Sequence, residues 1–439
     1  MRTYFTKSLF VVFLLLLSGC SIPKNENRMA LVEPYMISFD LENLSDKGAP
    51  MMSDVIDSLE YIKLKTKPGL DIGFIIDYQR PYITNDYIFI NCSHGAGLLQ
   101  FKRNGEFVRK IGTNGRGPGE YIAAQSIIFD EKSGIIYIFP NFRRVILKHD
   151  YNSGKFLKEI PIIDLDGKQT KGSMTKASLL SDNMAFVELW LENCLGFPEY
   201  EVFCIIDLNS GHITHKEISK IYGINNTGIK LPLFGRTNAN RFFYNIEGKV
   251  WYDNTGRLNY WEPLNDTSYV VNPDYTMNPR FITNYSNFKL DVKTGATLND
   301  FKDLDNKVQL KSFHETSGYL FFEHTFKNRY FTSTFDKISG DQHLVKSISK
   351  EEYKTDKLFF GLYNDIDGGF SKLGHYDKAM WFSSYSAIDM IDRLTSQHFE
   401  KASSKVKYPD RLNKLKKFVS CLNENDNPVF VIAHLKKNK

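Results

Sequence analysis

The residues with the clearest chemical potential sit in a glycine-rich run, Gly112-Thr-Asn-Gly-Arg-Gly-Pro-Gly-Glu-Tyr121. Glycines let backbone N–H groups close on an anion, which suggests a phosphate loop. The details exclude it: no Lys-Ser/Thr follows, Pro118 removes a donor, and the next residues read as a strand rather than a helix. The run fits a bend between two strands, with Arg116, Glu120 and Tyr121 as candidate ligand-binding side chains. Asp365 and Asp367, beside Asn364 and Gly368-Gly369, offer hard oxygen donors on one turn and are the candidate metal ligands, with calcium the fitting ion. A complete loop would need a third carboxylate and a distal Glu in register, and neither is present, so no cofactor is expected on this basis. His212 and His215 are two zinc-type donors lacking two more. His314-Glu315 begins like a zinc-protease motif, but position 318 is Gly. Asn91-Cys92-Ser93-His94 juxtaposes a thiol and an imidazole, and adjacency alone does not activate a nucleophile. No GxSxG occurs, and no catalytic residue is assigned.

The N-terminus carries a different kind of chemistry. Arg2 and Lys7 precede an unbroken apolar run, Leu9–Leu17, that is too short to anchor in a bilayer, and Leu17-Ser18-Gly19-Cys20 follows at once. This resembles a bacterial lipoprotein signal with its lipobox. The resemblance implies cleavage after residue 19 and acylation of Cys20, with diacylglycerol and palmitate-type chains tethering the protein to the membrane. Ser21 after the lipidated cysteine resembles the outer-membrane sorting pattern of Gram-negative cells. Residues 20–54 read as a lipidated tether and 55–437 as the folded domain. Four cysteines remain, Cys92, Cys194, Cys204 and Cys421, in a compartment that permits disulfides. Cys194 and Cys204 flank a Gly-Phe-Pro bend that a bridge could close, and buried thiols are the alternative. There is no CxxC.

Around these residues the chain reads as strands. It has 439 residues, 42% hydrophobic and 24% charged, with mean hydropathy −0.34, which excludes a disordered chain and a polytopic membrane protein. Aromatic residues make up 14%. The net charge is +5, and a chain starting at Cys20 carries +3, a surplus too small to argue for nucleic acid. Short β-branched and aromatic runs such as Tyr87–Asn91, Ile135–Phe139 and Tyr319–Phe322 are apolar on both faces, as strands buried between packed sheets must be. Polar turns follow, with glycines at 105, 154 and 211 spaced by 49 and 57, and Gly340 after a further 129. That last gap is two periods, with a missing turn expected near Asn265-Asp266. A long repeat of strand-rich units predicts blades stacked about an axis, since one sheet cannot cover both its faces.

The expected fold is all-β, a six-bladed propeller of four-stranded antiparallel blades, with units near 55–115, 116–165, 166–225, 226–290, 291–350 and 351–437. Ser58–Leu64 and Asn427–Leu435 are the strands expected to close the ring. Short helices are expected over 387–398, with Ile388, Ile391, Leu394 and His398 on one face, and over 409–422, with Leu412, Leu415, Val419 and Leu422 inward. Lys414, Lys416 and Lys417 then form a solvated outer face. The Gly-Pro-Gly-Glu-Tyr121 segment, Asn265–Tyr269 with Asn278-Pro-Arg280, Asn364–Gly369 and Asn425–Val429 resemble, in order, segments of six-bladed β-propeller lipoproteins, which are similar to NHL and TolB-type propellers. The resemblance implies a fold and a cell-envelope location. The expected role is binding or scaffolding, of a glycan, a peptide or an envelope protein, at the axial mouth. The alternative is a propeller enzyme: a glycan lyase, a hydrolase or a metal-dependent lactonase-like protein.

Overall fold

A computed structural model describes residues 33–66, 72, 81–92, 97–141, 143–171, 173–190, 201–218, 249–253, 255–262, 265–290, 305–356, 361–371, 375–377 and 380–436. The first strand, β1 (Tyr35–Ser38), and the second, β2 (Ile56–Lys63), belong to blades completed elsewhere in the chain. Blade one is β3 (Tyr82–Ile83), β4 (Tyr87–Cys92), β5 (Gly97–Lys102) and β6 (Phe107–Ile111). Blade two is β7 (Ala124–Asp130), β8 (Ile135–Pro140), β9 (Val145–Asp150) and β10 (Phe156–Pro161). Blade three is β11 (Ser173–Ser181), β12 (Met184–Trp190), β13 (Glu201–Asp207) and β14 (Ile213–Ile218). Blade four is β15 (Lys249–Tyr252), β16 (Leu258–Trp261), β17 (Thr267–Val271) and β18 (Met277–Asn284). Blade five is β19 (Gln309–Glu315), β20 (Tyr319–Phe326), β21 (Arg329–Asp336) and β22 (Gln342–Ser349). Blade six is β23 (His375–Asp377), β24 (Met380–Tyr385) and β25 (Val429–Leu435), completed by β2 as its fourth strand. The expected six-bladed ring and both of its closing strands are present. Ile56 to Lys63 runs antiparallel to Leu435 to Val429, so the two halves of one blade come from opposite ends of the fold.

Strand alternation explains why the ring holds. Ala185 and Val187 of β12 face blade two, with Tyr137 and Ile146, while Phe186 between them faces blade four, with Val250 and Tyr260. Each seam between neighbouring blades has its own apolar cluster. The seam between blades six and one, packed by Phe430, Ile432, Ile88 and Phe101, is built like the rest. In the seam between blades four and five aromatic residues do most of this filling: Phe313 alone meets Trp251, Trp261 and Phe281 edge-on at 4.6, 5.6 and 5.1 Å.

The fold begins earlier than 55. Residues 33–54 are not a tether but a strap across the outer rim. β1 pairs in parallel with β18 as a fifth strand, with Tyr35 opposite Phe281. Ile37, Phe39 and Leu41 then bury into the seam between blades four and five. The strap crosses blade five through Leu344 N–H to Ser45 O at 2.8 Å and reaches a one-turn helix, α1 (Met52–Val55), before β2.

The turn glycines mark the link between the third and fourth strands of blades one, two, three and five, and a neighbouring blade sits against the first three of them. Ile163, just past the last strand of blade two, donates its N–H to Gly211 O at 2.9 Å and accepts from Ile213 N–H at 2.8 Å. A Cβ on Gly211 would lie 2.1 Å from Pro161 O. The missing turn is not at Asn265-Asp266, which joins β16 to β17. It is Tyr275, held at φ +71°, 64 residues after Gly211 and 65 before Gly340. The period is right, and a tyrosine occupies the left-handed position.

Among the described residues the remaining α-helices are α2 (Lys350–Asp356), α3 (Ala387–Thr395), α4 (Gln397–Ser403) and α5 (Pro409–Val419). Pro409 starts α5 as expected, and Leu415 and Val419 point inward. The first expected helix instead breaks at Ser396, whose hydroxyl caps α4. Ile388 is 43% exposed and His398 is exposed, while Ala387, Met390 and Arg393 make the buried side.

Candidate functional site

The loop from Gly112 to Tyr121 is the expected crossover from the last strand of blade one to the first of blade two. It does not present its three candidate side chains to an axial mouth. Gly119 packs against Phe156 of the outermost strand of blade two, so the loop lies toward the rim. The Tyr121 side chain is buried, its hydroxyl donating to Ile111 O at 2.7 Å and accepting from Leu98 N–H at 3.0 Å. Burial pushes that hydroxyl well above its ordinary pKa. Glu120 closes the bend on itself: its Oε2 accepts from Gly117 N–H at 2.8 Å, and its N–H donates to Gly117 O at 3.0 Å. Arg116 is exposed, with no hydrogen bond to either partner among the described residues. Glu120 and Tyr121 fasten the bend, and Arg116 stands apart from both on its exposed side.

Asp365 and Asp367 serve as fasteners too. Asp365 accepts from Ser53 N–H at 2.8 Å, from the Ser53 hydroxyl, and from Lys407 Nζ at 2.8 Å. Burial opposes its charge, but the hydrogen bonds from Lys407 and Ser53 hold the carboxyl below its usual value. Asp367 accepts from Gly369 N–H at 2.9 Å, Asn364 Nδ2 at 2.8 Å and the Tyr61 hydroxyl at 2.7 Å. Burial lifts its carboxyl above the usual value. All four oxygens are engaged by protein donors, and a lysine supplies the positive charge a cation would have brought. Among the described residues no three His, Cys, Asp or Glu side chains converge in a metal-binding group.

The other candidates scatter. Cys20 and Cys194 lie outside the described residues, as do Ser93 and His94. Cys92 and Cys204 are buried within blades one and three, and Cys421 is exposed. His212 is exposed on a turn, and His215 Nε2 lies 3.2 Å from Glu217 Oε2. His314 is buried on β19 with Nε2 3.2 Å from Ser312 Oγ.

Two polar arrangements escape a reading of sequence. Arg280, 2% exposed, lies in a network with Asp253 at 3.2 Å, Glu33 at 3.2 Å and Glu315, and Lys337 joins Glu315 at 2.6 Å. Arg257 binds Glu33 and Asp253, both at 2.8 Å. Three cations face three anions, and Glu33 pins the start of the strap. The second arrangement follows a bulge at Leu310/Ser312. Lys311 bonds Gln309 Oε1 at 2.7 Å, and burial, with Lys350 nearby, lowers its amine to about 8. Next to it, the Ser312 hydroxyl donates to Glu323 Oε2 at 2.5 Å. A small crevice between blades four and five is lined by Trp261, Tyr285, Leu290 and Leu310. Its charged members, Lys289 and Asp266, are bonded to each other at 2.7 Å.

The connections are lopsided. The links from first to second strand in every blade, and from third to fourth in blades one to five, are two to five residues long. Every link from one blade to the next is longer: 64–81, 112–123, 162–172, 219–248, 285–308 and 350–374. The same edge of the sheets also carries 191–200 and the helical segment 386–428.

A family profile described as a domain of unknown function, DUF4934, matches residues 36–434. No curated protein matches the chain. Among solved structures, a Bacteroides fragilis protein described as exported aligns with a TM-score of 0.58 at 17% identity, over 92% of this chain and 99% of that one. A DUF4221 member from Bacteroides vulgatus aligns with a TM-score of 0.45 at 11% identity, over 88% and 98%.

Proposed function

The chain belongs to the DUF4934 family, and from that premise we propose that it is a cell-envelope binding or scaffolding protein, a rigid ring whose long-connection edge holds a glycan or peptide. The lopsided connections carry this reading. Short turns spend no more chain than a hairpin needs, whereas the long links exceed what ring closure requires, and loops on a rigid scaffold are where recognition is placed. The location follows from the N-terminal segment: acylation at Cys20 would hold the ring on the outer membrane. The description of the Bacteroides fragilis neighbour as exported agrees with that placement, and the NHL- and TolB-like segments agree with the ring.

The test is a panel of envelope polysaccharides, muropeptides and peptides, read by thermal shift and by product analysis of the same mixtures. Saturable stabilisation with no change in the ligand is the expected result. Time-dependent consumption of any panel member would replace binding with catalysis, and attention would then turn to Lys311, Ser312, His314 and Glu323.

A further inference from the structure

The segment 386–428 is extra to the ring. The corresponding links in blades one, two and five are 93–96, 141–144 and 327–328. Between residues 397 and 422 the chain carries seven basic side chains against Glu400 and Asp410. The flanks of the segment, with Asp389, Asp392, Glu424 and Asp426 against Arg393, lower the surplus over 386–428 to two, so the excess positive charge is confined to α4, α5 and the loop between them. The helices turn their apolar sides inward: Phe399, Leu415 and Val419 pack against Phe370, Tyr385, Val429 and Val431. Two of the cations fasten the cap to the ring, Lys407 to Asp365 and Arg411 Nη1 to Asp57 O at 2.7 Å. Lys401, Lys405, Lys414, Lys416 and Lys417 are exposed, with no carboxylate partner among the described residues.

We propose that this helical cap is a docking surface for an anionic phospholipid bilayer. Lysine is a hydrated point charge without the fixed fork of arginine, and six of the seven cations are lysines. Such a surface suits phosphates that diffuse in a fluid layer and present no fixed geometry. The apolar side of the helices is already buried in the ring, so the cap rests on headgroups and does not insert. A bilayer is within reach: Glu33, where the strap begins, lies 13 positions after Cys20, a stretch that spans about 45 Å when extended. The choice of a bilayer rests on the envelope reading above.

The test uses the chain from Ser21 onward, which contains every described residue and carries no acyl group. Its outcome is therefore independent of whether Cys20 is lipidated. Flotation is measured with phosphatidylcholine vesicles, with and without phosphatidylglycerol. Binding should require phosphatidylglycerol and disappear in high salt. Joint replacement of Lys401→Gln, Lys414→Gln, Lys416→Gln and Lys417→Gln should weaken it by about tenfold or more, with the melting temperature unchanged. Joint Lys102→Gln, Lys132→Gln, Lys155→Gln and Lys168→Gln, which removes as much charge from other exposed sites, should leave binding intact. Equal binding to neutral vesicles, no binding to anionic ones, or equal loss in both variants would overturn the proposal. So would a sulfated polysaccharide that displaces the protein from vesicles at matched charge, which would assign the cap to a glycan.

Discussion

Tyr121 and Glu120 show how the same residues can suggest recognition in sequence and fasten a loop in the fold. Their types and the Gly-Pro bend before them were legible. What was hidden is direction: the Tyr121 ring turns back into the seam between blades one and two, and its hydroxyl takes up Leu98 N–H and Ile111 O. Tyr121→Phe should therefore leave a buried N–H unpaired and cost roughly 1–3 kcal/mol in urea unfolding, without altering ligand binding. The partners of Asp365 and Asp367 were hidden for a related reason, because their donors Ser53 and Tyr61 come from the far end of the chain. His324 makes a second prediction at this scale. It is fully buried, with the Tyr285 hydroxyl 2.9 Å from Nε2, and burial lowers its pKa to about 3. The unfolded chain binds a proton here below about pH 6.5 and the folded chain does not, so this contribution to stability is present above that pH and lost as pH falls toward 3. The loss between pH 7 and pH 5 should be about 2 kcal/mol. His324→Gln should remove that portion of the pH dependence, and an unchanged dependence would assign it to other groups.

Elements were the most legible level, because two-faced apolar strands have few other places to go. The strands, the closing pair β2 and β25, and the inward residues of α5 follow from patterning alone. Patterning failed where contacts between distant segments decide. The strap reads as polar tether because its buried residues, Ile37, Phe39 and Leu41, show a period only when laid along β18 and the blade seam. The break at Ser396 was hidden inside a helical periodicity, since a serine can sit within a helix or cap the next. The fourth-blade turn was missed because a left-handed tyrosine carries no glycine signal. Close approach makes a graded prediction. Gly134 and Gly211 have similar positive φ, +68° and +77°, but a Cβ at Gly134 meets nothing within 4 Å. Gly134→Ala should cost about 1 kcal/mol of backbone strain. Gly211→Ala must also displace Pro161 O, and should cost about 3 kcal/mol or more. Equal costs would show that the contact between blades two and three contributes nothing.

At the scale of the whole molecule, ring closure, the strap and the tether form one chain of dependence. The strap ends in α1, α1 runs into β2, and β2 completes blade six, so the N-terminal strap is continuous with the strand that shuts the ring. Intact mass spectrometry of protein extracted from membranes should find a chain beginning at Cys20 with acyl chains attached; an unmodified chain would remove the anchor while leaving the ring untouched. The concentration of charge on the cap was present in the sequence as scattered lysines and became a surface only when the helices buried their other side. The claim that binding belongs to the long-connection edge is tested most directly by photo-cross-linking in living cells. Benzoylphenylalanine would be placed at Arg116 and Asn287 on blade-to-blade links, and at Lys132 and Asn152 on short turns, all four exposed positions. Specific adducts are expected from Arg116 or Asn287 and none from Lys132 or Asn152. Adducts confined to the short turns would contradict that claim.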